Sequence, residues 1–287
     1  MKILFCTDGS KISFNALKNI SSWVKNAIID TICVIDWNVL PTDVFVDEEN
    51  FSYSCANIAD TILNYAKEEI EHLGHSVGKQ IKNCGSAIES ILEQSEKEDY
   101  DVILMGSHGK KGVQKWLGSV SQEIINSSKT SNYISKEENN KTRILLTTDG
   151  SPCSTEVIKK VFNEINFTNK EIHICMVNED PNFLFLDGTL DTNWLLDIQK
   201  QQHLYSTKAI ESIKEIFTSH NISIFKTEIL SGIPAQEIIN YSNKNNIDLI
   251  LLGYRNKSKI DRFLTGSVSK RVIENATSDI WLVRCKS

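Results

Sequence analysis

A chain that carries the same signal twice is constrained more by that repetition than by any single motif. Thr7-Asp8-Gly9-Ser10 returns 141 residues later as Thr148-Asp149-Gly150-Ser151, and each copy follows a short apolar run, Ile3–Phe5 or Ile144–Leu146. Gly118-Ser119-Val120-Ser121 returns as Gly266-Ser267-Val268-Ser269. Gly85 and Gly106 stand 21 residues apart, as do Gly232 and Gly253, and an Asp precedes the apolar run between them: Asp101 before Val102–Met105, Asp248 before Leu249–Leu252. A period of about 145 residues is the size of a domain rather than of a solenoid repeat. The polar stretch Lys136–Lys141 marks the join, which predicts domains over residues 1–138 and 142–287.

Within each half, short apolar runs alternate with helical periodicity. The first half reads as strands Ile3–Phe5, Thr31–Ile35, Val77–Ile81 and Val102–Met105 and a short, weak Asn132–Ile134, with helices Ser13–Asn26, Asn57–Leu73, Ala87–Gln94 and Gly118–Asn126. The second half reads as strands Arg143–Leu146, Ile172–Val177, Ile222–Ile229, Leu249–Leu252 and Ile280–Val283, with helices Thr155–Ile165, Leu195–Phe217, Ala235–Tyr241 and Ser267–Asn275. Alternation of this kind predicts the α/β class, each half a doubly wound parallel sheet with helices on both faces.

Open parallel sheets bind ligands beyond the carboxyl ends of their strands, where the strand order reverses. Two repeated signals fall at strand ends: the Asp8-Gly9-Ser10 and Asp149-Gly150-Ser151 turns, and the glycine-bearing loops that start at Gly106 and Gly253. In the first half that loop carries Gly106, His108 and Gly109 and leads to Gly118-Ser119-Val120-Ser121 at the head of a helix. Glycines let backbone amides approach an anion, and a helix N-terminus offers free N–H groups, so the loop is a candidate phosphate site to which the Ser119 and Ser121 hydroxyls add donors. The alternative is a glycine-rich turn before an ordinary Ser cap. Asp8 likewise reads either as a ligand contact or as a turn former. The chain has no G-x-x-x-x-G-K-[ST] and no G-x-G-x-x-G after the first strand, which excludes the two commonest nucleotide fingerprints.

On these motifs the chain resembles the universal stress protein family along nearly its whole length. Members open with a strand and an Asp-Gly-Ser turn, and those that bind ATP carry G-x-x-G, nine residues, then G-[ST]. The resemblance implies two five-stranded domains of strand order 3-2-1-4-5, Rossmann-like or flavodoxin-like, in a pseudo-twofold tandem. It implies ATP as the cofactor, with or without Mg²⁺, and by position it points to Asp8 and Val34, and to Asp149 and Met176, as adenine and ribose contacts. Phosphates would lie on Gly106, His108, Gly109, Gly118, Ser119, Val120 and Ser121, and on Gly253, Asn256, Gly266, Ser267, Val268 and Ser269. Both halves depart from the pattern: eight residues separate Gly109 from Gly118, and Asn256 replaces the second glycine of the other copy.

The expected function is therefore adenine-nucleotide binding in a stress or regulatory role without rapid catalysis. The rival readings are a scaffold whose degenerate sites bind no nucleotide, a slow ATPase, and an adenylate-forming enzyme, which would need an S-G-G-x-D-S loop that is missing after both first strands. His108 has no visible nucleophile partner and is read as a loop residue rather than a base. The net charge of −6 gives no basic footprint for nucleic acid. Apolar runs are too short for a signal peptide or membrane span, so the cytoplasm is the expected compartment. Seven cysteines without a Cys-x-x-Cys argue against a disulfide framework, and Cys6, Cys33, Cys84 and Cys175 read as small buried residues. The expected partner is nucleotide alone, with Ile280–Val283 and Asn132–Ile134 pairing the two halves internally in a monomer and further dimerisation left open. The loops Trp37–Tyr53 and Pro181–Asn193 are candidate lids or contact surfaces.

Overall fold

The computed structural model describes residues 1–35, 48–108, 117–136, 142–179, 192–254 and 267–285. Contacts divide the chain into two compact units. The first holds β1 (Lys2–Thr7), α1 (Lys11–Ser21), β2 (Ile28–Ile35), α2 (Glu48–His72), β3 (Ser76–Cys84), α3 (Ala87–Lys97), β4 (Val102–Gly106), α4 (Ser119–Ser127) and β5 (Ser131–Ser135). The second holds β6 (Arg143–Thr148), α5 (Pro152–Phe162), β7 (Glu171–Asn178), α6 (Thr192–Thr218), β8 (Lys226–Ser231), α7 (Pro234–Lys244), β9 (Leu249–Tyr254), α8 (Ser267–Asn275) and β10 (Asp279–Arg284).

Each unit is a parallel sheet. The first runs β3-β2-β1-β4-β5, and the second, in the same sense, β8-β7-β6-β9-β10. Parallel neighbours need crossovers, and the helices supply them. In the first unit α1 packs on β4 and β5 and α2 on β2 and β3, while α3 and α4 pack together. The central strands are buried on both faces, which is why their sequences are continuous apolar runs: Ile3, Leu4, Phe5, Ile103 and Leu104 are wholly inaccessible. The order reverses between β1 and β4, and again between β6 and β9, so each unit has one switch point flanked by the two repeated signals.

The repeated aspartates have a structural task. Asp101 accepts the Lys2 backbone N–H at 2.8 Å, and Asp248 accepts those of Thr142 and Arg143 at 2.8 and 2.9 Å. Each carboxylate thereby receives a donor at the start of the neighbouring first strand and sets its register.

Several boundaries move. α1 ends at Ser21 with Ser22 as C-cap, and Asn26 takes a positive φ of 44° before β2. α2 begins at Glu48, so residues 48–53 are helical, whereas the rest of the Trp37–Tyr53 segment lies outside the described residues. So does the Pro181–Asn193 segment up to residue 191; α6 starts at Thr192. The buried stripe of α2 is Ala59, Leu63, Ala66 and Ile70, at the spacing of one helix face, with Ile58 exposed. β8 starts at Lys226 rather than Ile222: Asn221, at a φ of 56°, closes the turn after α6, and residues 222–225 are irregular. β5, short and polar in sequence, is buried at every position.

Among the buried positions at which the two units differ, one exchanges an acid for an imidazole. Leu4 pairs with Asp30 and Leu145 with His173, so a buried Asp in β2 and a buried His in β7 hold the same place. Asp30 accepts the Tyr100 hydroxyl at 2.7 Å and the Lys79 N–H at 2.8 Å, with the Lys2 ammonium 3.5 Å away. His173 Nδ1 hydrogen-bonds the Tyr241 hydroxyl at 2.9 Å, and its buried Nε2 has no hydrogen-bond partner among the described residues. Burial holds the His173 pKa below its ordinary value, with Glu171, Arg143, Lys226 and Glu228 adding smaller opposing effects.

A histidine whose neutral form is favoured by the fold takes up its proton more readily on unfolding. Its stabilising contribution is complete above the unfolded pKa of about 6.5 and is lost as pH falls below it, by up to about 1.4 kcal/mol per pH unit. The second unit is therefore expected to weaken between pH 7 and 5. Urea midpoints read at half-unit pH intervals check this, and a slope that His173→Gln leaves unchanged would remove His173 as its source.

Candidate functional site

Both Asp-Gly-Ser turns are built the same way, bond for bond. In the first, Asp8 Oδ1 accepts the Ser10 N–H at 3.0 Å, Gly9 takes a φ of 75°, and Ser10 caps α1 by accepting the Ser13 N–H at 3.3 Å. In the second, Asp149 accepts the Ser151 N–H at 2.9 Å, Gly150 takes a φ of 74°, and Ser151 accepts the Ser154 N–H at 3.2 Å. Glycine adopts that left-handed φ at least steric cost, which explains the repeat of Gly beside Asp. Thr7 and Ser13, and Thr148 and Ser154, close each turn through hydroxyl contacts of 2.8 and 2.9 Å. Asp8 is thus a turn former, as one of its two readings required. Burial works against charge on Asp149, but hydrogen bonds from Ser151 and Ser154 outweigh it and hold the carboxyl below its ordinary value. It is an ionised acceptor at neutral pH.

In the second unit the turn faces a cavity of about 550 Å³. Its walls come from β7 (Cys175, Val177), the start of α7 (Pro234, Ile238), the end of β9 (Gly253, Tyr254) and the first turn of α8 (Val268, Ser269), with Asp149 on the α5 side. The switch point therefore brings Asp149, Gly253, Val268 and Ser269 around one space, as their repeat suggested.

In the first unit the described part of the loop folds back on itself. Gly118 donates its N–H to the Ser107 carbonyl at 2.7 Å, and the Ser107 hydroxyl meets His108 Nδ1 at 3.0 Å. Gly118 is the N-cap of α4 and offers no side-chain cap, whereas Ser10 and Ser86 cap α1 and α3 with their hydroxyls. Ser119 is exposed and Val120 half-buried at that N-terminus.

The universal stress protein family model matches twice, over residues 1–135 and 141–284. This chain belongs to the universal stress protein family. It is similar to a universal stress protein of Methanocaldococcus jannaschii, 29% identical over 147 residues that cover 51% of this chain and 84% of the relative. It is also similar to one of Synechocystis sp., 25% identical over 278 residues and 88% of both chains. The solved structure of a universal stress protein from Archaeoglobus fulgidus shares the fold, with a TM-score of 0.71 over 99% of this chain and 98% of that one at 21% identity.

Some candidate residues of this tandem universal stress protein have tasks other than those expected. Gly106 is glycine because α1 crosses it: a Cβ there would lie 3.1 Å from Ile12 Cγ2 and 3.2 Å from the Ile12 backbone. The Ser121 hydroxyl donates to the Gly106 carbonyl at 2.9 Å, so it is committed within the fold rather than offered to a ligand. Strand register pairs Thr7 with Cys33 and Thr148 with Met176, which makes Val177, not Met176, the counterpart of Val34. Side chains alternate across a strand, and Cys175 and Val177 line the cavity while Met176 between them does not. Gly109, Asn256 and Gly266 lie outside the described residues, as do Lys110 and Lys111.

Cysteine usage departs from expectation too. Cys6, Cys33 and Cys175 are buried, but Cys84 is exposed at the end of an outer strand. Cys153 and Cys285 form a disulfide, with Cα atoms 5.7 Å apart and 132 residues between them in sequence. No spacing motif announces such a pair; only the fold brings the start of α5 to the end of β10. Among the described residues no helix is long and apolar enough to cross a membrane, and no cluster of three or more His, Cys, Asp or Glu could hold a metal.

Proposed function

We propose that this universal stress protein binds an adenine nucleotide at the carboxyl ends of the strands in each unit and acts as a nucleotide-dependent regulator without rapid turnover. The observation that carries the reading is the second unit's cavity, whose roughly 550 Å³ lies within the usual range for small-ligand sites. Its chemistry is divided as a nucleotide is. Cys175, Val177, Pro234 and Ile238 offer apolar walls for a base, and the ionised Asp149 offers an acceptor for an exocyclic amino group. The first turn of α8 offers backbone N–H groups and the positive end of a helix to phosphate. The uncapped N-terminus of α4 and the identical Asp8 turn extend the reading to the first unit. Mg²⁺, if it accompanies ATP, would be held by the phosphates and water.

Denaturing the purified protein and resolving what it releases by mass identifies the nucleotide. Calorimetry with ATP then compares wild type with an Asp8→Ala, Asp149→Ala double variant whose fold is checked by circular dichroism. Loss of a charged acceptor at each site is expected to weaken binding about tenfold to a hundredfold. No released nucleotide together with no heat at millimolar ATP would sink the reading and leave the scaffold.

A further inference from the structure

The second crevice has a feature that the first lacks. Cys153 lines the cavity, two residues beyond the Ser151 that caps α5 and four beyond Asp149. Cys285 directly follows β10, and its N–H donates to the Tyr254 carbonyl at the end of β9 at 3.1 Å. The disulfide between them therefore joins the helix that carries the Asp149 turn to the strand ends on the phosphate side. A Cα separation of 5.7 Å is that of an ordinary native disulfide. In the first unit the equivalent positions hold Ile12 and Glu137, by the offsets of the Ser10/Ser151 turns and of the β5 and β10 registers.

We propose that the Cys153–Cys285 disulfide is a reversible redox control on nucleotide binding in the second crevice, tight when oxidised and loosened by a dithiol reductant. The inference rests on the nucleotide reading and specifies the regulation of that site. Both sulfurs belong to buried residues, and Cys153 lines the cavity, so the crevice offers a reductant a way to the bond. A thiolate of the reductant attacks Cys153 Sγ, the bond to Cys285 breaks, and the Cys285 thiolate takes up a proton. The reductant's second thiol then displaces Cys153, giving two protein thiols and one reductant disulfide, two electrons having passed to the protein. Cys153, at the N-terminal turn of α5, is placed where a thiolate is stabilised, so a small-molecule disulfide reverses the step: the Cys153 thiolate displaces one thiol from it and Cys285 displaces the other, restoring the bond as that disulfide takes up the two electrons. Cys175 shares the cavity but not this chemistry: burial, with Glu228 adding to it, pushes its thiol up to about 12, and it stays protonated.

Because reductant and nucleotide use the same entrance, each opposes the other. An intact tether holds the crevice walls at fixed spacing, which favours binding by preorganisation. If reduction weakens ATP, ATP must by linkage protect the disulfide by the same factor at equilibrium.

The test uses the full-length oxidised chain. It is reduced with dithiothreitol with and without saturating ATP, quenched with iodoacetamide, and the Cys153 and Cys285 peptides are followed by mass. Calorimetry compares oxidised, reduced and Cys285→Ser chains. The expected result is at least tenfold slower reduction with ATP, and at least fivefold weaker binding at one of the two sites after reduction, matched by Cys285→Ser. Equal reduction rates and equal affinities, with ATP binding intact, would overturn the redox control and leave the nucleotide reading standing. Alkylation of both cysteines in unreduced protein would overturn it as well. Binding of ATP by none of the forms would instead bring down the nucleotide reading and this inference with it.

Discussion

Gly78→Ala is expected to destabilise the first unit by about 3 kcal/mol, at the upper end of what overpacking a core costs. A single methyl does this because Gly78 is where β3 makes room for the Asp30 carboxylate. The added Cβ would fall almost on Asp30 Oδ1, with Asp30 Cγ at 3.1 Å and the Ile29 carbonyl oxygen at 3.2 Å. The carboxylate, 1% exposed, has nowhere to retreat without leaving the Lys79 N–H or the Tyr100 hydroxyl, and a buried charge that loses its donors is among the most destabilising outcomes available to a substitution. Urea unfolding followed by intrinsic fluorescence should show the transition of the first unit moved to lower denaturant while that of the second stays in place. An unchanged first transition would mean that the Asp30 site is not what holds β2 and β3 in register.

Val177→Trp is expected to weaken ATP binding in the second crevice by about a hundredfold or more, because an indole ring that fills the base-binding volume leaves no competing pose. Val177 is half-buried and its side chain lines the cavity, so the larger ring enters existing space and global stability should change little. Calorimetric stoichiometry is the sensitive readout: sites per chain should fall by about half, with the remaining affinity unchanged, if each unit binds one nucleotide. Met176→Trp is the informative contrast. Its side chain is 5% exposed and does not line the cavity, so that change should cost stability rather than stoichiometry. Undiminished stoichiometry in Val177→Trp would show that nucleotide binds elsewhere.

The duplication, the element order and the position of the crevice were all legible in the sequence, because they depend on local signals repeated at fixed offsets. Thr-Asp-Gly-Ser and Gly-Ser-Val-Ser each lie at a strand–helix junction in both copies, and the continuous apolar runs Val102–Met105 and Leu249–Leu252 suit central strands buried on both faces. What failed was whatever depended on a partner distant in sequence. A strand starting at Thr31 was the natural reading because Asp30 breaks the apolar run, yet β2 extends back to Ile28, since Tyr100 and Lys79 satisfy that carboxylate from other elements. Gly106 looked like a phosphate glycine, although its neighbour is Ile12. Matching Val34 to Met176 slipped by one position, and in a strand a slip of one exchanges the two faces. The Cys153–Cys285 bond was invisible for the same reason, with neither residue in a motif and 132 residues between them.

The unlike pair Asp30 and His173 also bears on how a duplicated chain avoids confusing its own halves. Two copies of one fold in a single polypeptide offer every strand a second, wrong docking place, and misassembly between repeats is a recurrent hazard of such chains. If β7 were to settle in the place of β2, its imidazole, with at most one acceptor nitrogen, would enter a slot where the Tyr100 hydroxyl, the Lys79 amide and the Lys2 ammonium all converge on a carboxylate. At least one donor would be stranded in the core. The divergence of one buried position thus works as a password between strands of the same copy, admitting β2 to the first sheet and turning its twin away.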